Sequence, residues 1–428
     1  MKKALLFTMI LAFAFGLFAC EDVGDDTEKL ILYQNKVEID DVLSEYADEW
    51  AEANDVEVQV KTCGGDACGY ADQIVSEFQA AQQPDIFVIE GLGQYNEYEN
   101  KILAFDGDEE WIADTDVPFE VDGEIYGFPV NYEGWGLAYN KDLLEDAGVD
   151  PDTLVNVEAY RTAFEQIVDA DLEGVEAPVS WTSAAGMYWT TGLHNFNGYL
   201  SSGLELGDRS VIDDLLNGVA HDDRLEALAD WVEVLMEYTD ETLLTEGTYD
   251  DQINAFKLGE TAFIHQGNWI DPNLLDGDGI DFEVGYAPHA SGLDDVDSIF
   301  VGAPSYYVIN KDGDNIELAK QFLNDMAMTE EGHEYMVEEA NFVPAFKSVE
   351  LTPSAPLSAE VAKWAAEGNI YAWYQNDMPP GFGMDELGPI YELYANDLYD
   401  EEVDNEEAKD DFVAGLKAQI ETLGEDED

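Results

Sequence analysis

From Lys29 to Gly91 the chain reads KLILYQ, NKVEIDDVLSEYADEWAEAN, DVEVQVKTCGGDACG, YADQIVSEFQAAQQ and PDIFVIEG in unbroken succession. KLILYQ is a short apolar run. Ile39, Val42, Leu43, Tyr46, Ala47, Trp50 and Ala53 then recur at three- and four-residue steps, the period of an amphipathic helix, whereas VEVQVKT alternates with the period of a strand. YADQIVSEFQAAQQ reads as a second helix and PDIFVIEG as a buried strand. The β-α-β-α-β order predicts an α/β fold with a parallel sheet and helices on its faces, in which ligands gather beyond the carboxyl ends of the strands. By position, Asn35, Lys36 and Glu90 are site candidates.

Further along, helices are legible at VEAYRTAFEQIVDA, DDRLEALADWVEVLMEY and TYDDQINAFKLG, and strands at APVSW, TAFIHQ and FEVGYAP. One more strand, SYYVIN, precedes the helices NIELAKQFLNDMAM and EEGHEYMVEEA. A chain of 428 residues exceeds what one hydrophobic core usually supports, so two α/β lobes are expected, and 46% hydrophobic residues suffice to fill them.

The amino terminus, MKKALLFTMILAFAFGLFAC, sets two lysines before an apolar run shorter than the ~20 residues a membrane span needs, and so reads as a signal peptide over residues 1–20. Its end, Leu17-Phe18-Ala19-Cys20, resembles the bacterial lipobox, which makes Cys20 the expected lipid carrier. Residues 21–28 are too polar to pack and read as a flexible acidic tether. The expectation is an extracytoplasmic protein, lipid-anchored to the membrane in the periplasm or at the outer face of the cell. Asp and Glu number 96 against 17 Lys and Arg, a formal charge of −79. Such a surface repels phosphate backbones, which excludes nucleic acid as a partner, and its even spread fits a halophilic shell better than a local binding device. Cys63 and Cys68, with glycines between them, read as a small disulfide loop in an oxidising compartment; a metal site would need two more soft ligands.

Several segments, in order, resemble the bacterial extracellular solute-binding proteins of carbohydrate ABC importers, the group that includes maltose-binding protein. PDIFVIEG is similar to the family's PD-plus-apolar strand. DGEIYGFPVNYEGWGLAYNKDLLEDAGVDP is similar to its G-x-x-Y-G-x-P…YNK-x-L-x-x-x-G segment, and FKLGETAFIHQGNWI to its F-x-x-G-x-A-apolar-x-x-G-x-W segment. SYYVINKDGDNIELAKQFLNDMAMTEEG resembles its strand-to-helix passage. The resemblance implies a two-lobe, type II-like binding fold, each lobe a mixed sheet flanked by helices, with a hinge and a central cleft. Lobe 1 would comprise residues 29–132 plus 300–345 and lobe 2 residues 133–299 plus 346–428. The crossings would fall near 131–136, 298–302 and Ala345.

Sugars present C–H faces and rings of hydroxyls, so a sugar site needs flat aromatics beside carboxylates and amides. A crossing at NYEGWG would put Tyr132, Glu133 and Trp135 on the cleft floor, with Glu133 at the family position whose carboxylate contacts sugar. Glu90 matches a second family position, and Trp269 matches the tryptophan after the G-x-W turn. Trp181 and Trp189 in SWTSAAGMYWTTGLHNFN, and Trp373, Tyr374 and Phe382 near the carboxyl end, are further aromatics for which stacking on ligand competes with core packing. Asn35 and Lys36 are expected to donate to hydroxyls.

The resemblance implies capture of a sugar or oligosaccharide by a monomer that delivers it to an ABC transporter permease, with no cofactor, metal or catalytic residue. The same cleft could hold a cationic solute such as a polyamine or amino acid, gripped by the acids. A glycosidase could be built on Glu90 and Glu133, although no G-x-S-x-G or H-E-x-x-H signature occurs. Tyr306-Tyr307 is similar to the tyrosine pair of ferric-ion receptors, but neighbouring side chains of a strand face opposite ways. The five histidines show no ligand spacing.

Overall fold

The computed structural model describes residues 28–424 except 65–67 and 401. The signal segment, Cys20 and all of the tether but Glu28 lie outside the described residues. The first strands of the chain are β1 (Lys29–Gln34), β2 (Glu57–Thr62), β3 (Ile86–Ile89), β4 (Phe119–Val121) and β5 (Glu124–Pro129). Next come β6 (Glu133–Asn140), β7 (Ala177–Ser180), β8 (Thr261–Gly267), β9 (Val284–Ala287) and β10 (Ile299–Gly302). β11 (Tyr306–Ile309) and β12 (Ile370–Tyr371) complete them. They form two mixed sheets, one ordered β2-β1-β3-β11-β5-β4 and the other β12-β10-β6-β8-β7 with β9 also on β6.

In the first sheet β1 runs parallel to β2 and β3, and β11 is inserted antiparallel between β3 and β5. β3 is buried at every residue because helices cover both faces. At the edge, β2 keeps alternating exposure. Helix Asp40–Asn54 contributes Leu43, Tyr46, Ala47 and Trp50 to this core, and helix Ile316–Met328 contributes Phe322 and Leu323. Trp50 meets Phe322 edge-on at 5.0 Å, and Tyr46 stacks on Tyr335 at 4.7 Å. Cys63 and Cys68 are disulfide-bonded across 5.3 Å between Cα atoms, closing a loop just after β2.

β6, the centre of the second sheet, is buried along its whole length. Helix Lys141–Ala147 follows at once: the Asn140 side chain accepts from the backbone N–H groups of Asp142 and Leu143, and Gly148 closes the helix at φ 75°. Helices Val157–Ala170, Asp222–Glu237 and Asn405–Thr422 join the core of this lobe through Tyr160, Phe164, Trp231, Leu235, Phe412 and Leu416.

The chain passes between the sheets where strands end. Val130 N–H donates to Ser305 O (3.1 Å) and Tyr132 N–H to Val343 O (2.8 Å), tying the passages side by side. β10 stays bonded to β6 through Gly302, Val343 packs with the second sheet, and Phe346 and Val349 pack in the first core. We propose that the lobes divide near residues 131–136, 298–305 and 343–355.

Candidate functional site

Two strand ends and the hinge build the polar part of the cleft. At the end of β1 the Gln34 side chain, fully buried, donates to Lys36 O (2.8 Å) and to Thr62 Oγ1 (2.6 Å), while its Oε1 accepts from Lys36 N–H (2.5 Å). This pins the Asn35–Lys36 loop. The disulfide loop presses on it from outside, where a Cβ on Gly64 would meet Asn35 O at 1.9 Å, a contact only glycine allows. Asn35 Nδ2 donates to Glu90 Oε1 (2.7 Å) at the end of β3, and Gln94 holds Glu90 by accepting from its N–H (3.0 Å). From this lobe Lys36 reaches across to Glu133 at the start of β6, with Glu38 3.5 Å from its Nζ. Asn131 Nδ2 donates to Glu133 Oε1 at 3.4 Å.

Burial would lower the Lys36 pKa, but the carboxylates of Glu133 and Glu38 outweigh it, and the pKa lies above its ordinary value. Lys36 is therefore a fixed positive charge. Burial raises Glu90, against the opposing pull of Asn35 and Lys36.

The second lobe carries an aromatic nest, of which Trp269 lines one pocket with Glu38, Asn131 and Glu133. The Trp269 ring lies 6.3 Å from Trp189, 6.1 Å from Trp373 and 4.8 Å from His194. Trp189, Trp269 and Trp373 are each half-buried. Gln266 Oε1 accepts from the Trp269 indole N–H (2.8 Å), and Gly267 lies directly beneath the ring, where an added Cβ would be 2.1 Å from it. Tyr249 stands 5.8 Å from Trp189. An inter-lobe pocket of about 210 Å³ continues from Glu133 and Trp269 to the turn at 339–342. At another side the cleft is closed, because the Gly91 backbone lies against Asn376, whose Nδ2 donates to Pro304 O at 2.9 Å.

Of the sequence candidates, the fold brings Asn35, Lys36, Glu90 and Glu133 together on the polar side, and Trp189, Trp269 and Trp373 on the aromatic side. Tyr132 is half-buried between the two cores at the crossing. Three further candidates are buried. Trp135 is 1% exposed: it stacks on Phe300 (4.3 Å) beneath the nest, so it supports the platform without being part of it. Trp181 is fully buried, stacked on His265 at 5.2 Å. Tyr374 is buried in the second core with the Arg209 guanidinium 5.1 Å over its ring. The Asn35 side-chain amide donates to Glu90, and its Oδ1 is buried without a partner among the described residues. Phe382 is buried as well. Tyr307 is buried and Tyr306 half-buried on opposite faces of β11.

The structure adds Glu38, Asn131, His194 and Tyr249. Glu38 stands two residues from Lys36, a proximity visible in the sequence. His194 lies in the wide π-helical stretch Trp189–Asn195, a geometry that hydrophobic periodicity does not announce. Burial, then neighbouring His265, drives the His194 pKa well below its ordinary value, so the ring is neutral near pH 7. Tyr249 opens helix Tyr249–Lys257, whose Thr248 capping box is legible but whose direction is not.

The sequence matches the family of bacterial extracellular solute-binding proteins over residues 45–367. The chain belongs to this family. A maltooligosaccharide ABC transporter solute-binding lipoprotein of Streptococcus pneumoniae (strain ATCC BAA-255 / R6) is 25% identical over 361 residues, 80% of each chain. The open conformation of the binding protein MsmE from Bacillus subtilis superposes with a TM-score of 0.72 at 18% identity, covering 94% of this chain and 98% of that one. RafE from Streptococcus pneumoniae superposes with a TM-score of 0.72 in its apo form and 0.69 in complex with raffinose, each at 15% identity over 93% of this chain and 98% or more of RafE. These solute-binding proteins share the two-sheet α/β fold.

Proposed function

We propose that this protein captures an oligosaccharide between its lobes and delivers it to an ABC transporter permease, acting outside the cytoplasm from a lipid anchor on Cys20. One observation supports the reading: three half-buried tryptophans, Trp189, Trp269 and Trp373, cluster together, and Trp269 lines one inter-lobe pocket with Glu38, Asn131 and Glu133. Flat rings take the C–H faces of sugars, and the amides and carboxylates take the hydroxyls. Relatives named for maltooligosaccharides and solved with raffinose agree with this chemistry. Glu90 and Glu133 are read as binding groups, each already engaged by an amide or ammonium partner. A hydrolytic role would release new reducing ends from oligosaccharides, which a colorimetric assay would detect.

A cationic solute is the second reading, because Glu38, Glu90 and Glu133 outnumber Lys36 in the cleft. Calorimetry with maltooligosaccharides, raffinose, stachyose, spermidine and arginine separates the two. Saturable heat with a sugar and none with the cations is expected; the reverse would overturn the sugar reading. Because a cleft ligand shifts the lobes only by binding one arrangement better, the radius of gyration should fall on saturation.

A further inference from the structure

The pair formed by Asn35 and Glu90 is backed by Tyr70 and by the Cys63–Cys68 bridge. Tyr70 opens the helix Tyr70–Glu77, and its hydroxyl, buried in the first core, accepts from Val88 N–H (2.9 Å) and donates to Val88 O (2.8 Å). β1 and β3 pair only at Leu32 with Ile86 and at Tyr33 with Phe87. One residue further on, the phenol takes the place of β1 against Val88, two positions before Glu90. Burial drives the Tyr70 pKa well above its ordinary value, with the Glu90 carboxylate adding to the rise, so the hydroxyl keeps the proton that it donates. Its ring also lies 5.3 Å from that of Tyr33, the neighbour of Gln34 on β1.

The disulfide fixes where that phenol stands. Cys68, two residues before Tyr70, is bridged to Cys63 just after β2. Cys63 is buried, its N–H donates to Gln34 O at 2.9 Å, and Gly64 beside it lies against Asn35 O. One bridge therefore joins the backbone behind Asn35 to the side chain behind Glu90, the two residues whose side chains meet at 2.7 Å. A disulfide constrains the unfolded chain least when the loop it closes is short, and these cysteines are five positions apart, so its effect is mainly local. The helix keeps other attachments when the bridge opens: Ile74 is fully buried in the first core, and Lys61 pairs with Glu77 at 2.7 Å.

We propose that Tyr70 and the Cys63–Cys68 disulfide are positioning residues of the binding site, which hold Asn35 and Glu90 in register, so that ligand affinity falls when the bridge is reduced. The inference rests on the oligosaccharide reading and goes beyond it by making the polar side of the cleft depend on the redox state of two cysteines. A dithiol such as dithiothreitol supplies two electrons and two protons: the S–S bond breaks, two thiols form, and the reductant becomes its cyclic disulfide.

Calorimetry with maltotriose and raffinose tests this on oxidised protein, on protein in dithiothreitol, on the double variant Cys63→Ala with Cys68→Ala, and on Tyr70→Phe. The last keeps the bridge and the ring and removes only the two hydrogen bonds at Val88. Each change should weaken the better-bound sugar roughly three- to tenfold, the scale of one hydrogen bond, and dithiothreitol should not affect the double variant. In an Asn35→Ala background none of them should weaken binding further, because the pair they position is already broken. Losses that add fully to that of Asn35→Ala, or an unchanged affinity after reduction, would overturn the proposal while sugar binding stands. If the reduced protein unfolds, Tyr70→Phe decides by the same two criteria. A wild-type protein that binds neither sugar would overturn the oligosaccharide reading, and hydrogen exchange then decides the positioning. Reduction should speed exchange at the Lys36, Val88 and Glu90 amides while β6 keeps its protection; no change at those three amides would overturn it.

Discussion

Lys36 and Glu133 are joined across the cleft with side chains only 13% and 9% exposed, so neither charge has water to fall back on. They are unequal in reserve. Without Glu133, Lys36 keeps Glu38 at 3.5 Å; without Lys36, Glu133 keeps only the Asn131 amide at 3.4 Å. Removing one member of a buried pair is costly because the survivor remains desolvated, by about 3 kcal/mol when no other partner is at hand. Lys36→Met should therefore destabilise more than Glu133→Gln in urea titrations. The double variant should be more stable than the sum of the single losses implies. Equal losses that simply add would mean that the pair contributes nothing as a pair. This pairing illustrates what sequence reading reaches at the residue scale. Lys36 was a candidate from its strand-end loop and Glu133 from the family resemblance, but that they neutralise one another, 97 positions apart, was not legible.

The second lobe's platform depends on one strand end. β8 delivers Gly267 directly beneath Trp269, and Gln266 holds the indole N–H. Gly267 has φ −105°, an ordinary value, so alanine there brings no backbone strain. Its methyl group must instead displace the ring. Gly267→Ala should leave the melting temperature within a few degrees of wild type, yet weaken sugar binding about as much as Trp269→Ala, by ~1–3 kcal/mol in calorimetry. Unchanged affinity in both variants would take Trp269 out of the site. At this scale the sequence was informative about β8, whose TAFIHQ run is apolar, and about the turn that follows. It was silent about the 189–195 stretch, because a π-helical geometry leaves no regular period to read.

For the whole molecule the ledger is electrostatic. With 96 acidic and 17 basic side chains, most carboxylates lack a cation, and repulsion opposes the compact state. Screening shortens its range from roughly 30 Å at ~0.01 M salt to about 3 Å at ~1 M. Tm should climb steadily between ~0.05 and ~2 M NaCl, with KCl nearly as effective; a flat profile would show the acid compensated within the fold. The pH response divides into two opposing parts. Burial and the nearby Glu45, Glu49, Glu334 and Glu338 raise the Glu339 pKa, so its folded form takes up a proton more readily and gains stability as pH falls through that raised value. The buried histidines oppose it. Burial pushes His265 down to about 3, and pushes His289 and His194 well below 6.5. Such a group is neutral in both states above 6.5, and stability is lost as pH falls from 6.5 towards the folded value, by up to about 1.4 kcal/mol per pH unit for each. In ~2 M NaCl, where repulsion is screened, Tm should fall between pH 7 and 5, and His289→Phe should lessen the fall. A Tm that rises with acid under those conditions would place the carboxylates in control.

The sequence by itself determined the β-α-β-α-β start and the helices that line each lobe, because periodicity and caps are properties of near neighbours along the chain, and it offered Glu133 and Trp269 as site candidates through the family resemblance. It could not rank the tryptophans. Trp181 and Trp189 lie eight residues apart in one stretch, yet Trp181 is sealed against His265 while Trp189 stands half-exposed beside Tyr249. Trp135 shares a strand face with Glu133 and still lies under the platform, stacked on Phe300. Each of those outcomes was decided by a side chain that arrives from 60 or more positions away, and burial depends on what packs opposite a residue rather than on what precedes it.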